Sequence, residues 1–307
     1  MKAQHRCIVI GFGSIGQRHC SILTNLNQRV AVVSRRKLNY PLAYYDIETA
    51  IKLEDPHYIV VANETSKHEE TLIAIKKTGY NNKILVEKPL FSDDPVNSFN
   101  FSYIYTGYNL RFNPLIQALH KKIQKQKVIS VQTYVGQYLP TWRPGTDYTQ
   151  SYSASVERGG GVIRDLSHEL DYLQFLFGEW RQLFAMGGQY SDLNIETDDH
   201  FSLVYQTDKV PMISLQMNYL DHITQRFMIV NTNVASYKLD FIENTLKIND
   251  KVMKFENNRN NTYELQHSAV LNHDERYLSS YEDGLKIVKM IKMAERSSKE
   301  KVWVSND

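Results

Sequence analysis

The chain has 307 residues, enough for two hydrophobic cores rather than one. Hydrophobic residues make up 42% and charged residues 23%, the mix of a folded globular protein, which excludes a chain dominated by disorder. Lys and Arg number 36 against 34 Asp and Glu, and a net charge of +2 gives no electrostatic basis for a nucleic-acid or membrane-surface partner.

Cys7 to Ile10 is a short apolar run that predicts a strand. It ends on Gly11-Phe12-Gly13-Ser14-Ile15-Gly16, and helical spacing follows from Ser14 to Leu26. Arg29 to Val33 is rich in valine and predicts the next strand, completing a βαβ unit. Tyr58 to Ala62 predicts a buried strand, Ser66 to Thr78 a helix stopped by Gly79, and Ile84 to Val86 a strand closing on Glu87-Lys88-Pro89. Tyr103 to Tyr108 predicts a further strand. This alternation implies a parallel sheet with helices on both faces.

Past residue 127 the pattern changes. Lys121, Lys122, Lys125 and Lys127 read as the solvated end of a helix. Val128 to Tyr138 predicts a long strand, Leu139 to Gly161 a polar, aromatic, glycine-rich loop, and Val162 to Phe177 one continuous helix ending at Gly178. Strands are expected at Phe201–Tyr205, Met212–Tyr219, Phe227–Asn231 and Tyr237–Asp240, spaced as in an antiparallel sheet, and a last helix at Tyr281–Arg296. The expected fold class is α/β. A Rossmann domain spans residues 1–110, and an α+β domain with a large, mostly antiparallel sheet spans residues 111–307.

Cys7 and Cys20 are too few for a disulfide framework and are expected to be buried free thiols. No C-x-x-C or H-E-x-x-H pattern occurs, so no metal site is expected. No apolar stretch approaches the roughly 18 residues of a membrane span, and no signal-peptide core is visible, so the expected location is the cytoplasm.

Four constellations carry chemistry. In Gly11-x-Gly13-x-x-Gly16 the first glycine permits a tight turn, the second lets the backbone approach a pyrophosphate, and the third lets helix pack on strand. Phe12, Ser14 and Ile15 complete the turn, and the helix from Ser14 offers free N–H groups to phosphates. The second constellation is Ser34-Arg35-Arg36, where NAD-preferring sites carry an acid for the ribose hydroxyls. A guanidinium can fork onto a 2′-phosphate, so NADP(H) is expected to be preferred, with NAD(H) as the alternative. The third is Lys88 in Glu87-Lys88-Pro89 at the carboxyl end of a strand, where an ammonium can meet a substrate hydroxyl. In the fourth, Gly159-Gly160-Gly161 leads into a helix on which Asp165, His168 and Asp171 fall within a sector of roughly 120°, on one face. An imidazole beside carboxylates suits acid/base work; a surface charge network is the alternative.

Together these residues resemble the glucose-fructose oxidoreductase and inositol dehydrogenase family (Gfo/Idh/MocA). The turn with His19 looks like the family's G-x-G-x-x-G-x-x-H. His68 to Pro89 is similar to its H-E-x(n)-E-K-P segment, Gly107-Tyr108-Asn109-Leu110-Arg111-Phe112 to its G-Y/F-N-x-R-F passage, and Tyr281-Glu282-Asp283-Gly284 to its C-terminal signature. The resemblance implies an open-faced second sheet often used for oligomerisation, here as a homodimer or homotetramer. It also implies hydride exchange between a nicotinamide and a sugar, sugar-nucleotide or polyol carbon. Lys88 would polarise the reacting hydroxyl, His168 would accept and return its proton, and Asp165 would orient the site. Asn109 and Arg111 would lie near cofactor or substrate, and Asn63, Glu87 and Lys88 near the cofactor. Two departures stand out. Asp165 and His168 are three apart where the family reads D-x-x-x-H-x-x-D, and Asn63-Glu64 replaces the common Thr-Pro.

Within the long loop, Tyr138, Trp142, Arg143, Tyr148 and Tyr152 are suited to a sugar face and an acidic group, or to packing against a partner subunit. Two alternatives to a sugar oxidoreductase are a non-catalytic dinucleotide- or sugar-binding regulator of the same fold, and an enzyme using NAD for elimination or hydrolysis without net redox.

Overall fold

The computed structural model describes residues 4–306, so the outer limits of the expected domains, residues 1 and 307, lie outside the described residues. The chain divides into two compact units. One comprises Met1–Phe112 with Arg259–Val288, the other Asn113–Asn258 with Lys289–Asp307. The single boundary expected at residue 110 therefore differs from the observed division: Arg259–Val288 returns to the first unit.

The first unit begins with β1 (Arg6–Ile10), α1 (Ser14–Asn25), β2 (Arg29–Val33), β3 (Ala43–Tyr44), α2 (Ile47–Glu54), β4 (Tyr58–Val61), α3 (His68–Lys77), β5 (Lys83–Val86) and β6 (Tyr103–Thr106). The strands read as continuous apolar runs because both faces of the sheet are covered. Alternate residues feed two cores. Ile8, Ile10, Ala31, Val33, Ile59, Val61, Ile84 and Val86 pack with Ala50 of α2 and Leu72 and Ile75 of α3. Cys7, Val9, Val30, Val32, Tyr58, Val60 and Leu85 pack with Cys20 and Leu23 of α1. Both cysteines are buried free thiols, and burial pushes each up to about 12.

Sequence reasoning left residues 34–57 unassigned. There Asp46 caps α2, its carboxylate accepting the Thr49 N–H at 2.8 Å, and β3 adds an edge strand.

The second unit contains α4 (Pro114–Ile123), β7 (Val128–Gly136), α5 (Val162–Asp165), α6 (His168–Phe177), β8 (Trp180–Gly188), β9 (His200–Thr207), β10 (Ile213–Asn218), β11 (Gln225–Thr232), β12 (Ser236–Asp240), β13 (Thr245–Ile248) and β14 (Lys251–Lys254). The chain then forms α7 (Asn261–Asn272), β15 (Ser279–Ser280), α8 (Tyr281–Glu300) and β16 (Val304–Ser305). Asn113 caps α4 by accepting the Leu115 N–H at 2.9 Å, and Pro114 fills the first helical position, where its missing N–H costs nothing.

The first sheet has the order β15-β6-β5-β4-β1-β2-β3 and is parallel apart from the β15–β6 edge. Because β1 lies between β2 and β4, the winding reverses there, and a crevice is expected at the carboxyl ends of those strands. α7 joins the face of α1: Ala269, Val270 and Leu271 enter the core of Cys20 and Leu23.

The second sheet has the order β14-β13-β12-β11-β7-β10-β9-β8-β16. Among the described residues β7 and β10 are its parallel pair and the other neighbours run antiparallel. One face is buried, as the register row Ala185, Leu203, Leu215, Thr133, Met228, Leu239 and Leu246 shows. The opposite face carries the rows Phe184-Val204-Ser214-Gln132-Ile229-Lys238 and Met186-Ser202-Gln216-Tyr134-Phe227-Asp240, all partly or largely exposed in the single chain.

The helix expected at Val162–Phe177 is two helices. α5 ends at Asp165 and α6 starts at His168, so Asp165 lies on one helix and His168 and Asp171 on the next, rather than all three on one unbroken helix. Among the described residues no helix is long and apolar enough to cross a membrane.

Candidate functional site

In the first unit the parallel strands bring five segments to one sheet edge. The ladder continues past the strand ends through Gly11 N–H to Val33 O (2.9 Å), Ala62 N–H to Ile10 O (2.8 Å), Glu87 N–H to Val61 O (2.9 Å) and Gly107 N–H to Val86 O (2.7 Å). These bonds place the glycine turn, Ser34, Asn63, Glu87-Lys88 and Gly107 side by side.

The glycine turn has the shape expected of a phosphate cradle. Gly11 sits at φ +99°, and a Cβ there would lie 2.6 Å from the Asn63 nitrogen. A Cβ on Gly16 would lie 2.1 Å from the Gly11 oxygen, so the helix meets the turn at a distance only glycine allows. A Cβ on Gly13 would meet nothing within 4 Å, which leaves its outer side open to an approaching group. Gly13 is also the N-cap of α1. It supplies no side-chain acceptor, and the first turn carries no acid, so the positive helix end faces that space uncompensated.

Ser34 and Arg36 gather at the same turn. The Arg36 guanidinium donates to the Phe12 carbonyl at 3.3 Å, and its amide donates to Ser34 Oγ at 3.2 Å. Arg35 points elsewhere, to Glu70 of α3 at 3.3 Å, with both groups exposed. Asn63 is tied by its Nδ2 to Thr71 Oγ1 at 2.8 Å.

Glu87 is buried. Its Oε1 accepts from His19 Nε2 at 2.9 Å, and its Oε2 accepts the Lys88 N–H at 3.1 Å. Burial alone would raise this carboxyl. The hydrogen bond from His19, the neighbouring Lys88 ammonium and the Lys88 N–H outweigh it and hold Glu87 below the ordinary carboxylate range. Behind it, His19 Nδ1 lies 2.8 Å from His267 Nε2, and His267 Nδ1 lies 2.9 Å from the Tyr58 hydroxyl. Lys88 itself is half-buried and joined to Pro89 by a cis peptide bond.

Asn109 and Arg111 lie on a short 3-10 turn after β6, both buried. Asn109 Nδ2 donates to Thr262 Oγ1 at 2.6 Å, while its Oδ1 is buried without a hydrogen-bond partner among the described residues. The Arg111 guanidinium is engaged by the Leu278 carbonyl at 3.2 Å and the Asp283 carboxylate at 3.0 Å.

In the second unit, Asp165 is buried at the end of α5. Tyr152 donates to Oδ1 and Tyr219 to Oδ2, the latter at 2.6 Å. His168 opens α6 and is half-buried; Asp171, one turn on, is buried. Two further side chains frame the acid-holding tyrosines: Trp142 meets Tyr219 edge-on at 5.2 Å, and the Arg143 guanidinium lies 5.5 Å over Tyr152. Leu139, Trp142, Arg143, Thr146, Tyr148 and Ser151 line one small pocket. Tyr138 stands outside that group, its ring 4.0 Å from His222. Among the described residues Arg143 has no ion-pair partner.

Sequence reasoning missed Tyr58, His267 and Tyr219. His267 carries no motif and reaches the site only because α7 returns to the first unit.

A family model described as an oxidoreductase family with an NAD-binding Rossmann fold matches residues 5–98, and the GFO/IDH/MocA C-terminal domain model matches residues 116–237. Among solved structures, a levoglucosan dehydrogenase in complex with NADH is similar at a TM-score of 0.84 and 15% identity, over 99% of both chains. Myo-inositol 2-dehydrogenase from Lactobacillus plantarum is similar at 0.77 and 16%, over 99% of this chain and 100% of that one. GenD2 from gentamicin A biosynthesis, in complex with NAD, is similar at 0.80 and 19%, over 100% of this chain and 97% of that one. At such identities the likeness is one of fold. No curated protein matches the sequence. The two family matches fall on the glycine-turn unit and the sheet unit in the order the structure shows, and the chain belongs to the GFO/IDH/MocA oxidoreductase family.

Proposed function

We propose that the chain exchanges a hydride between a nicotinamide dinucleotide and the hydroxyl or keto carbon of a sugar, sugar nucleotide or polyol. The observation that carries this reading is the placement of Lys88 on the sheet edge that also holds the open glycine cradle. Structures of levoglucosan dehydrogenase with NADH and of GenD2 with NAD support a nicotinamide cofactor.

The turn Gly11–Gly16 and the N-terminus of α1 would hold the pyrophosphate. Asn63 and Glu87-Lys88 would flank the cofactor at the same edge. Ser34 and Arg36 would take a 2′-phosphate, so NADP(H) is preferred over NAD(H). Arg35 contributes charge from further out, because Glu70 engages it. The bound dinucleotide supplies the hydride acceptor or donor. Lys88 donates a hydrogen bond to the reacting oxygen and polarises it. His168 takes the hydroxyl proton during oxidation and returns it during reduction. Asp165 is a positioning residue, since two tyrosine hydroxyls occupy its oxygens. Asn109 offers its buried Oδ1 toward substrate or cofactor; Arg111, bound to Asp283, shapes the turn that carries it. In the second unit the Trp142-Arg143 loop suits a sugar ring bearing an acidic group.

The test is an NADPH-oxidation screen against keto-sugars and sugar nucleotides. Lys88→Met and His168→Ala should each lower kcat by about 10²–10⁴-fold, and His168→Ala should leave dinucleotide affinity intact. Absence of turnover with every sugar, with ligand binding undisturbed in both variants, would instead identify a non-catalytic regulator. Titration with NADPH and NADH decides cofactor preference, and tighter NADH binding would overturn that part.

A further inference from the structure

We propose that Tyr58, His267 and His19 form a hydrogen-bond relay of fixed direction that holds Glu87 ionised and in place, and through it positions Lys88. The relay stands on geometry alone; its effect on catalysis rests on the reading that Lys88 meets the substrate.

The four side chains come from four elements: Tyr58 from β4, His267 from α7, His19 from α1 and Glu87 from the end of β5. Tyr58, His267 and His19 are fully buried, and Glu87 is 6% exposed. The successive contacts are 2.9, 2.8 and 2.9 Å. A neutral imidazole has one donor and one acceptor, and an ionised carboxylate only accepts. Starting from Glu87, His19 must therefore carry its proton on Nε2, which leaves Nδ1 to accept from His267 Nε2–H. His267 Nδ1 then accepts the Tyr58 O–H. Every group is satisfied by this one assignment.

The opposite direction fails at the far end. With Glu87 protonated, or with His19 doubly protonated, His267 Nδ1 would donate to the Tyr58 oxygen. The Tyr58 O–H would then need another acceptor, and among the described residues its hydroxyl contacts His267 alone. Burial favours the same protonation states, since it holds His267 well below its ordinary value and pushes the Tyr58 phenol up.

The relay terminates on a carboxylate with little freedom. Oε2 accepts the Lys88 N–H at 3.1 Å, and a Cβ on Gly107 would come within 3.1 Å of Glu87 Cα, Cδ and Oε1. Each neutral donor is oriented by the next, so the end furthest from Lys88 still bears on where Glu87 points. Tyr58, His267 and His19 are positioning residues, since the relay meets Lys88 only through Glu87.

The test has two arms. In the apo protein, ¹⁵N NMR of the imidazoles should show His19 protonated on Nε2 only and His267 protonated on Nε2 only. Protonation of His19 on Nδ1 overturns the relay whatever the protein catalyses. In the kinetic arm, His267→Leu removes the donor to His19 and should lower kcat about ten- to a hundredfold, with KM and dinucleotide affinity unchanged, as for a catalytic group displaced within an intact site. His267→Gln keeps an N–H in the Nε2 position and should recover most of kcat; equal kcat in the two variants overturns the link to Lys88. If His267→Leu does not fold, Tyr58→Phe deletes one oxygen at constant volume and should move the His267 Nδ1 resonance, and an unmoved resonance overturns the Tyr58 end. A correct tautomer pattern with no turnover of any sugar leaves the relay standing and removes the oxidoreductase reading.

Discussion

At the residue scale, buried ionisable groups in the first unit set a pH dependence whose sign follows from their surroundings. Glu87 lies below its ordinary value of 4.5 in the folded chain, so its contribution to stability is complete above that pH and is lost as pH falls through the folded value. Burial also lowers His68 and His267 from 6.5. The unfolded chain takes up protons at these positions below 6.5 while the folded chain does not, so stability declines as pH falls from there. The melting temperature is expected to drop between pH 7.5 and 5 and more steeply below 4.5, and His267→Gln should flatten the upper part. A profile that stays level down to pH 5 would contradict neutral buried histidines. Gly16→Ala would set a Cβ 2.1 Å from the Gly11 oxygen, a backbone atom that cannot swing aside. Overpacking of this kind costs about 1–3 kcal/mol, and dinucleotide affinity should fall with it in a fluorescence titration. The glycine turn and the strand end that brings Lys88 to the same sheet edge were legible in the sequence because each sits in a short local motif. His267 was not, being 248 residues from His19 and 209 from Tyr58, and no local pattern encodes such a pairing.

At the scale of elements, helix starts and breaks decide where the second unit's polar groups stand. Asn113 is buried and caps α4, so Asn113→Ala should cost about 1 kcal/mol in urea unfolding. The start of α5 is less ordinary. Asp198 accepts the Ile163 N–H at 3.0 Å, yet burial pushes its carboxyl up to about 6. An acid raised above its unfolded value of 3.8 costs stability at any pH above its folded value, here about 3 kcal/mol. Asp198→Asn keeps an acceptor for Ile163 and removes the charge. Its urea midpoint should exceed that of the parent at pH 8, with the gap narrowing toward pH 4; equal midpoints at both would show that the charge is not strained. The gap between α5 and α6 was illegible. Val162 to Phe177 contains neither glycine nor proline, and every residue tolerates a helix, so only tertiary contacts such as the two tyrosine hydroxyls on Asp165 mark the interruption. The strands of the first unit were legible for the opposite reason, since burial on both faces leaves an unbroken apolar run.

For the molecule as a whole, the outer rows of the nine-stranded sheet bear Met186 and Val204, exposed by 61% and 42% in the single chain. We propose this face as the homo-oligomer interface, and Met186→Glu with Val204→Lys should shift sedimentation velocity to a smaller species without lowering the melting temperature of the monomer. An unchanged sedimentation profile would move the interface elsewhere. The parallel-then-antiparallel plan was legible from the change of pattern near residue 127, but the return of Arg259–Val288 was not, because α7 looks like any other helix until its partners are known. That return bears on how the protein is made. During translation Met1–Phe112 emerges first, but its sheet lacks β15 and its buried Glu87 and His19 lack their third member until α7 has left the ribosome. The unit started first is therefore finished late, and the sheet of Asn113–Asn258 has the opportunity to fold while its predecessor waits with one helical face bare. A nascent chain that has emerged from the ribosome only as far as Asn258 should expose that face to chaperones and proteases, and one that has emerged as far as Val288 should not.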